Sequence, residues 1–344
     1  MSDYVFIVGS PRSGTTILSE ILGRHPDITH WYEPYFIWDW GIGNGEDDVR
    51  SAEQATEPIR EFLRDEFAWF RHKSNRRIVI DKSPEHCFKI PFVHAIFPEA
   101  KWIHIIRDGR DVTLSIHREW LARQQMVERR QLGKAWKVFK EMMTLQPYWR
   151  NRWQAILYEL RQNTSWDPRD YLNKSKWQGE AGWGPRFPGW REALERSLLI
   201  EFNALQWVKS VEQIFKDEVI LPRGNLIEVY YERLVTNPEA ELRRVFKRLE
   251  VDPAAAAFIG KDLNAMNQQK WRTDLTPEQQ RLIAPIVNDL LYRLGYLSGG
   301  VKHLGGAAVK YHTRMFADWH DIEALEDGKD GDAYINSLHF SKES

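Results

Sequence analysis

The first residues along the chain that could do chemistry form a short polar loop, Gly9-Ser-Pro-Arg-Ser-Gly-Thr-Thr16. The loop follows the continuous apolar run Tyr4–Val8, which is typical of a strand buried on both faces of a parallel sheet. It leads into Thr15–Leu22, where the apolar residues have helical spacing. Backbone N–H groups at such a strand–loop–helix junction converge on one point, and the helix dipole favours an anion there. The stretch therefore predicts an anion-binding site.

One position separates this loop from the phosphate loop of nucleoside triphosphatases. Gly9 and Gly14 have the G-x-x-x-x-G spacing, but Thr15 stands where those proteins have the lysine that reaches the β- and γ-phosphates. Arg12 supplies a positive charge instead, and its planar guanidinium can grip two oxygens of a phosphate or sulfate. We therefore expect an anion other than a triphosphate. The alternative is a strand–turn–helix unit that binds no ligand.

Two charged residues follow other extended segments. Glu33 lies in the extended segment 28–35, before a proline, and Lys82 directly follows the predicted strand 77–81. Because loops at the carboxyl ends of strands in an α/β sheet share one crevice, both side chains could face the anion loop. The alternatives are a surface carboxylate and a solvated lysine at a strand end.

A second anion site is predicted where the strand 101–106 meets the helix 111–122. Arg107 ends the strand, and Ser115 lies eight positions further on, so that the two could share one anion. Arg110 and Asp111, which lie between them, are expected to pair with each other or to cap the helix.

Composition limits the classes of protein that the chain can belong to. The 344 residues carry a formal net charge of −1, which gives no bulk affinity for nucleic acid. The single cysteine, Cys87, excludes an internal disulfide and a thiolate metal cluster, and is most simply a small buried apolar residue. A strand is predicted from residue 4, so we expect no signal peptide, and no apolar run reaches the roughly 20 residues that span a bilayer. We expect a soluble, cytoplasmic protein.

The segments together predict an α/β fold with a central parallel sheet flanked by helices. We expect one domain over residues 1–300 and a tail over 301–344, with a tryptophan-rich helical insertion at 119–210 that breaks the α/β rhythm and covers the acceptor site. Its tryptophans could stack on a sugar or aromatic substrate, or could build the insertion's own core. The predicted strands are 4–8, 77–81, 101–106 and 226–231; the predicted helices are 15–22, 55–70, 111–122, 134–148, 153–162, 191–211, 238–249 and 277–294.

The loop Gly9–Thr16 resembles the one that holds the 5′-phosphosulfate in sulfotransferases that use 3′-phosphoadenosine 5′-phosphosulfate (PAPS). The nearest branch is that of the tyrosylprotein sulfotransferases and their bacterial relatives, and the matching segments run over about residues 4–118 and 225–296. The resemblance implies a P-loop-like sheet and sulfonate transfer from PAPS to a hydroxyl or amine by in-line displacement. It implies no metal, and the second product is adenosine 3′,5′-bisphosphate (PAP).

The resemblance also implies roles for individual residues. Glu33 corresponds to the general base, 21 positions after the loop arginine, and Lys82, in Lys-Ser-Pro, to the lysine that touches the sulfonate and the leaving phosphate. Arg107 and Ser115 match the pair that binds the 3′-phosphate, and Lys270, before a tryptophan, matches a phosphate contact from a loop over the nucleotide. The loop residues that bind the 5′-phosphosulfate are Arg12, Ser13, Gly14, Thr15 and Thr16, with Arg12 also stabilising charge during transfer. Glu232, by contrast, is expected to be structural and to hold its loop by hydrogen bonds.

The acceptor stays open among a carbohydrate, a glycolipid, an aromatic alcohol and a peptide tyrosine. No nucleic-acid partner and no membrane span are expected. Two alternative functions are a P-loop kinase of a small metabolite, and a catalytically silent nucleotide-binding protein of the same fold. Thr15 and the lack of an evident Mg²⁺ ligand disfavour the kinase.

Overall fold

The computed structural model describes residues 2–42, 45–128, 182–263 and 268–297, with backbone alone at 35–36, 123–128 and 262. The predicted helices 134–148 and 153–162 and the tail 301–344 lie outside the described residues.

The centre of the fold is a five-stranded, wholly parallel sheet with strand order β2-β3-β1-β4-β5. Its continuous apolar runs are buried on both faces, as the sequence indicated; Phe6, Val79 and Ile103, for example, are at most 1% exposed. The predicted α/β class with a central parallel sheet is therefore confirmed. The strands are β1 Tyr4–Val8, β2 Ile28–Tyr32, β3 Ile78–Lys82, β4 Lys101–Ile106 and β5 Leu226–Tyr230.

Helices pack on both faces of the sheet. Those before β5 are α1 Thr15–Leu22, α2 Tyr35–Trp38, α3 Glu57–Ser74, α4 Ile90–Ile96, α5 Gly109–Glu128, α6 Trp190–Arg196 and α7 Leu199–Asp217. Those after β5 are α8 Tyr231–Thr236, α9 Pro238–Arg248, α10 Ala256–Ile259, α11 Trp271–Asp274 and α12 Pro277–Arg293. Short 3-10 helices lie at Ala52–Gln54, Pro84–Phe88, Glu218–Ile220, Pro253–Ala255 and Gly260–Asp262.

Two apolar cores result, one on each face. Helices α3, α4, α5, α7 and α12 cover the face that carries Phe6 and Trp102. Helices α1, α8, α9 and α10 cover the opposite face, which carries Ile7 and Ile103. Because successive strand residues point to opposite faces, Asp81 points towards the first core and Lys82 towards the second.

Several boundaries differ from the prediction. The predicted helix 191–211 is two helices, because Ser197 has an extended backbone between α6 and α7. Helix α2 and helix α8 were not predicted, and Tyr231 begins α8 instead of ending β5. Cys87 is fully buried, as expected.

The end of the predicted insertion belongs to the main core. In helix α7, Phe202 and Trp207 are 0% exposed and pack with the residues that cover the sheet, together with Trp120 and Trp190. These three tryptophans therefore stabilise the domain core, and they are not placed to stack on a substrate.

Candidate active site

The strand order brings the anion loop, Glu33, Lys82 and Arg107 to one edge of the sheet. The loop after β1 lies between the carboxyl ends of β3 and β4, because β1 pairs with both. Glu33 follows β2, Lys82 ends β3, and Arg107 follows β4. In parallel α/β sheets this edge is where ligands bind.

The anion loop has the backbone of a ligand cradle. Arg12 has φ 69° and Gly14 has φ 100°, both left-handed, and the Ser13 N–H donates to the Ser10 carbonyl at 3.1 Å. Helix α1 then begins with no side-chain cap and no acidic residue in its first turn. The Ser13 hydroxyl is buried and has no hydrogen-bond partner among the described residues. A buried hydroxyl and uncapped N–H groups at one helix start fit an anion such as the phosphosulfate of PAPS.

Arg12, Arg107 and Ser115 form one hydrogen-bonded cluster. Arg12 Nε donates to Ser115 Oγ at 3.0 Å, and an Arg107 terminal nitrogen donates to the Arg12 carbonyl at 2.9 Å. The sequence predicted two separate anion sites, one at the loop and one at β4–α5. The structure joins them through Arg12, whose side chain is exposed while Arg107 is buried.

Tyr231 holds this cluster against the loop. The Arg107 guanidinium lies over the Tyr231 ring, 4.3 Å from its centroid. A Cβ atom at Gly14 would lie 2.5 Å from Tyr231 Cδ2, so the aromatic ring occupies the space that a side chain at Gly14 would need. Gly14 is therefore required both by its backbone conformation and by this contact.

Glu33 and Lys82 form an ion pair beside the loop. Lys82 Nζ donates to Glu33 Oε1 at 2.5 Å, and the Lys82 side chain is 2% exposed. Lys82 Nζ also lies 4.7 Å from the ring centroid of Tyr32, which is half exposed and hydrogen-bonded to Thr16 at the start of α1. Burial is the main cause that raises the pKa of Tyr32. The contacts link the proposed base, the lysine and the anion loop.

Glu232 supports the Arg107 side of the site. Glu232 Oε1 accepts from the Asp108 N–H at 3.1 Å, and Oε2 accepts from the Tyr296 hydroxyl at 2.7 Å. Burial raises the pKa of Glu232 from 4.5 to about 7. The prediction that Glu232 is a structural hydrogen-bonding residue is confirmed.

The expected pairing of Arg110 with Asp111 is wrong. Arg110 forms a bidentate pair with Asp108, at 2.6 Å for the shorter contact, because Asp108 is the residue that caps α5 through the Arg110 N–H. Asp111 instead accepts the backbone N–H groups of Gln269 and Trp271 at 2.7 and 2.9 Å. Burial raises the pKa of Asp111 above its ordinary value.

Lys270 lies between those two N–H donors, directly before α11, and its side chain is exposed. Asp111 thus fixes the backbone of the loop that the sequence assigned to the nucleotide. The phosphate contact of Lys270 stays a prediction.

A segment inside the predicted insertion 119–210 reaches the anion loop. A Cβ atom at Gly184 would lie 4.0 Å from Pro11 Cγ. The Gln206 side-chain amide holds this segment by donating to the Trp183 and Pro185 carbonyls at 2.9 and 3.4 Å. Residues 183–185 therefore form a wall beside the loop.

Sequence reasoning missed Tyr32 and Tyr231 as site residues. Each is an aromatic residue at the carboxyl end of a strand, next to a residue already singled out, and that position was a usable signal. Asp111 was also missed, because its partners are backbone groups 158 and 160 positions away.

Comparison with known proteins now identifies the family. The family model described as "Sulfotransferase family" matches residues 4–163 and 183–254, which is most of the chain and includes every predicted site residue except Lys270. The chain belongs to the sulfotransferase family. It is therefore a transferase enzyme, and the resemblance noted in its sequence is confirmed.

Individual relatives of this sulfotransferase are distant. It is 23% identical to "Nodulation protein NoeE" of Sinorhizobium fredii over 364 residues, covering 93% of this chain and 74% of that one. It is 25% identical to a "Putative protein-tyrosine sulfotransferase" of Caenorhabditis briggsae over 255 residues, covering 72% and 65%. The chain thus spans about two thirds to three quarters of these relatives' lengths. Among solved structures it is similar to the "Sulfotransferase Domain from the Curacin Biosynthetic Pathway", with 14% identity, a TM-score of 0.47 and coverage of 92% and 99%.

The described residues were also searched for membrane-spanning helices and for metal-binding groups of side chains. None of their helices is both long and apolar enough to cross a membrane. No three His, Cys, Asp or Glu side chains within this part of the sulfotransferase are grouped so as to hold a metal ion. The predictions of metal independence and of cytoplasmic location stay predictions.

Proposed function

We propose that this sulfotransferase moves the sulfonate of PAPS to an acceptor hydroxyl, with Glu33 as general base. The observation that carries the proposal is the arrangement around one anion loop. On one side of the loop, Lys82 at the end of β3 contacts Glu33; on the other side, Arg107 after β4 contacts Arg12 of the loop, which also contacts Ser115 of α5. A reacting group held at the loop would have a base and a cation on one side and a second anion site on the other.

The donor is proposed to bind across the joined anion sites. The N–H groups at the start of α1, Arg12 and the Ser13 hydroxyl would hold the 5′-phosphosulfate, with Thr15 and Thr16 as further contacts. Arg107 and Ser115 would hold the 3′-phosphate. The direct contact of Arg12 with Ser115 supports this, because both phosphoryl groups of PAPS are attached to one ribose and must lie close together.

The proposed transfer step uses Glu33 as its base and Lys82 and Arg12 as its cations. The acceptor oxygen forms a bond to sulfur while the bond from sulfur to the bridging oxygen breaks, and that oxygen leaves with the electron pair as part of PAP. The acceptor proton goes to the Glu33 carboxylate. Lys82 and Arg12 stabilise the charge that develops on the leaving and equatorial oxygens. Glu33 Oε1 accepts from Lys82 Nζ at 2.5 Å, so the proposed base and the proposed cation lie in direct contact.

The acceptor site is proposed to lie between Tyr32 and the wall formed by residues 183–185. Tyr32 presents a half-exposed ring next to Glu33, and the wall contacts Pro11 of the loop. We keep residues 119–210 as the proposed cover of this site within a single domain at 1–300. The half-exposed ring of Tyr32 fits an acceptor with a flat face, such as a sugar or a phenol. The relatives named as protein-tyrosine sulfotransferases support a phenolic acceptor.

The experiment is transfer from PAPS labelled in the sulfonate to three probes: 2-naphthol, a chitin oligosaccharide and a tyrosine-containing acidic peptide. Glu33→Gln should lower kcat by about 10² to 10⁴, because glutamine cannot accept the proton, while the affinity for PAP changes by less than about threefold. Lys82→Ala should also lower kcat, and the fold change in its affinity for PAP should be smaller than the fold change in kcat. The matched control is Glu20→Gln, an exposed glutamate in α1, which should leave both quantities unchanged. Wild-type turnover by Glu33→Gln would exclude Glu33 as the base.

The kinase alternative is not favoured, because the chain belongs to the sulfotransferase family. Calorimetric titration with PAP and with ATP plus Mg²⁺ tests it directly. Tighter binding of ATP plus Mg²⁺ would revive the kinase. Binding of PAP without transfer to any probe would instead favour the catalytically silent protein.

A further inference from the structure

Asp81 is a fully buried carboxylate, and the proposed mechanism gives it no role. It precedes Lys82 in β3, points to the opposite face of the sheet, and is 0% exposed. A buried carboxylate is costly unless hydrogen bonds compensate its lost hydration. The neighbours of Asp81 therefore show what it stabilises.

Asp81 is bonded to the chain on both sides of the proposed catalytic pair. Trp38 Nε1 donates to Asp81 Oδ2 at 2.6 Å, and Ser83 Oγ donates to Oδ1 at 2.9 Å. His86 Nε2 lies 3.3 Å from Oδ2. Trp38 belongs to α2, which begins two residues after Glu33, and Ser83 directly follows Lys82. One carboxylate thus ties the segment that carries the base to the segment that carries the lysine.

The Glu33 segment needs such a restraint. Glu33 has φ 44°, a left-handed backbone that a residue with a side chain keeps only where its surroundings impose it. The Trp38 ring is wedged against Phe6 and His86, with ring centroids 5.8 and 4.7 Å away, so the indole N–H bond to Asp81 has a fixed direction. A shift of α2 would therefore be transmitted to Glu33.

We propose that Asp81 is a positioning residue for the reaction: its carboxylate holds Glu33 and Lys82 in the relative placement that transfer requires. This inference rests on the function proposed above. An amide in place of the carboxylate keeps the size but offers one acceptor oxygen where Trp38 and Ser83 use two. The Ser83 hydroxyl must then turn to accept from the amide, and both segments lose the charge-assisted hydrogen bonds that the carboxylate gives them.

The test compares Asp81→Asn with Glu241→Gln, using PAPS and the probe acceptor with the highest wild-type rate. Glu241 is an equally buried carboxylate, 1% exposed and paired with Arg244 at 2.7 Å, but it lies in α9 on the other face of the sheet. Asp81→Asn should lower kcat about 10- to 100-fold, the cost of misplacing a catalytic group by about 1 Å, with the KM for PAPS within about threefold. Glu241→Gln should keep the wild-type kcat at a temperature where both variants are folded.

A double-mutant cycle separates positioning from general damage. When Glu33 is already glutamine, adding Asp81→Asn should lower kcat less than about threefold further, because the placement of Lys82 relative to the base no longer matters once the base has been removed. If the fold losses in kcat of the two single variants multiply in the double variant, the proposal is overturned. If Asp81→Asn fails to fold, Trp38→Phe removes one of the same bonds and keeps a ring, and it should show the same non-additive loss.

A second readout needs no turnover. Acetylation of Lys82 by acetic anhydride, followed by mass spectrometry, should be slow in the wild type and in Glu241→Gln, and several-fold faster in Asp81→Asn. Unchanged labelling together with wild-type kcat in a folded Asp81→Asn protein overturns the positioning role alone. Full activity of Glu33→Gln would instead refute the proposed base, whatever Asp81 does.

Discussion

Replacing Glu232 with glutamine should change how the stability of the protein depends on pH. Burial raises the pKa of Glu232 to about 7, although the carboxylate accepts bonds from the Asp108 N–H and the Tyr296 hydroxyl. Glutamine keeps an oxygen for the Asp108 N–H, and the Tyr296 hydroxyl can turn to accept from the amide. The substitution thus removes the ionisation with little change in packing.

The sign and size of the effect follow from linkage. Between pH 4.5 and about 7 the folded protein holds a proton on Glu232 that the unfolded chain has released, so stability falls as pH rises through this window. The stabilisation that the raised pKa of Glu232 gives the folded protein is complete below pH 4.5 and is lost above about pH 7. A pKa difference of about 2.5 at about 1.36 kcal/mol per pH unit is about 3 kcal/mol, an upper value because Glu232 is partly exposed.

Urea unfolding of wild type and Glu232→Gln from pH 4.5 to 8.5 measures this effect. The difference in unfolding free energy isolates Glu232, because every other titrating group contributes equally to both proteins. From pH 4.5 to pH 8.5, the free energy of unfolding of Glu232→Gln should rise relative to that of the wild type by up to about 3 kcal/mol. Parallel stability curves would refute the account that Glu232, hydrogen-bonded to the Asp108 N–H, keeps its proton in the folded protein up to about pH 7.

Two further substitutions test the packing of the fold. Gly14→Ala should destabilise the protein by about 1–3 kcal/mol and weaken PAP binding at least about tenfold, because its Cβ would lie 2.5 Å from Tyr231. Gly189→Ala is the matched control, because Gly189 also has a positive φ, 79°, but a Cβ atom there would have nothing within 4 Å. This control should keep the wild-type affinity for PAP. If calorimetry gives Gly14→Ala and Gly189→Ala the same affinity for PAP, the account of the loop geometry is wrong. His104 is fully buried, and burial lowers its pKa from 6.5 to about 4, so the wild type should lose about 3 kcal/mol as pH falls through this window. His104→Leu should not show this loss, and the same acid sensitivity in urea unfolding of both proteins would contradict the assignment.

The sheet was predictable because each parallel strand is buried on both faces and therefore has a continuous apolar sequence. The same reasoning located Glu33, Lys82 and Arg107 at the carboxyl edge. The break between α6 and α7 was not predictable, because the apolar spacing continues through Ser197, whose extended backbone depends on tertiary packing.

The contacts within the site depend on the register in which neighbouring strands pair, and this register cannot be read from the sequence. Tyr32 pairs with Lys82 in the β2–β3 register, which places Glu33 next to the lysine. The stacking of Tyr231 on Arg107 likewise requires β5 to lie beside β4. The Arg110 pairing was mispredicted because Asp108 both caps α5 and is bidentate to Arg110, so that Asp111 binds backbone groups far along the chain instead.

The most direct test of the account is the affinity of the protein for PAP compared with adenosine 5′-monophosphate, measured by calorimetry in wild type, Arg107→Ala and Glu33→Gln. We predict that wild type and Glu33→Gln bind PAP at least about tenfold more tightly, because charged hydrogen bonds to a second phosphate are worth about 1.5–3 kcal/mol. Arg107→Ala should bind both nucleotides equally. A wild type without this preference, or an Arg107→Ala variant that keeps it, would contradict the claim that two joined anion sites grasp one doubly phosphorylated nucleotide.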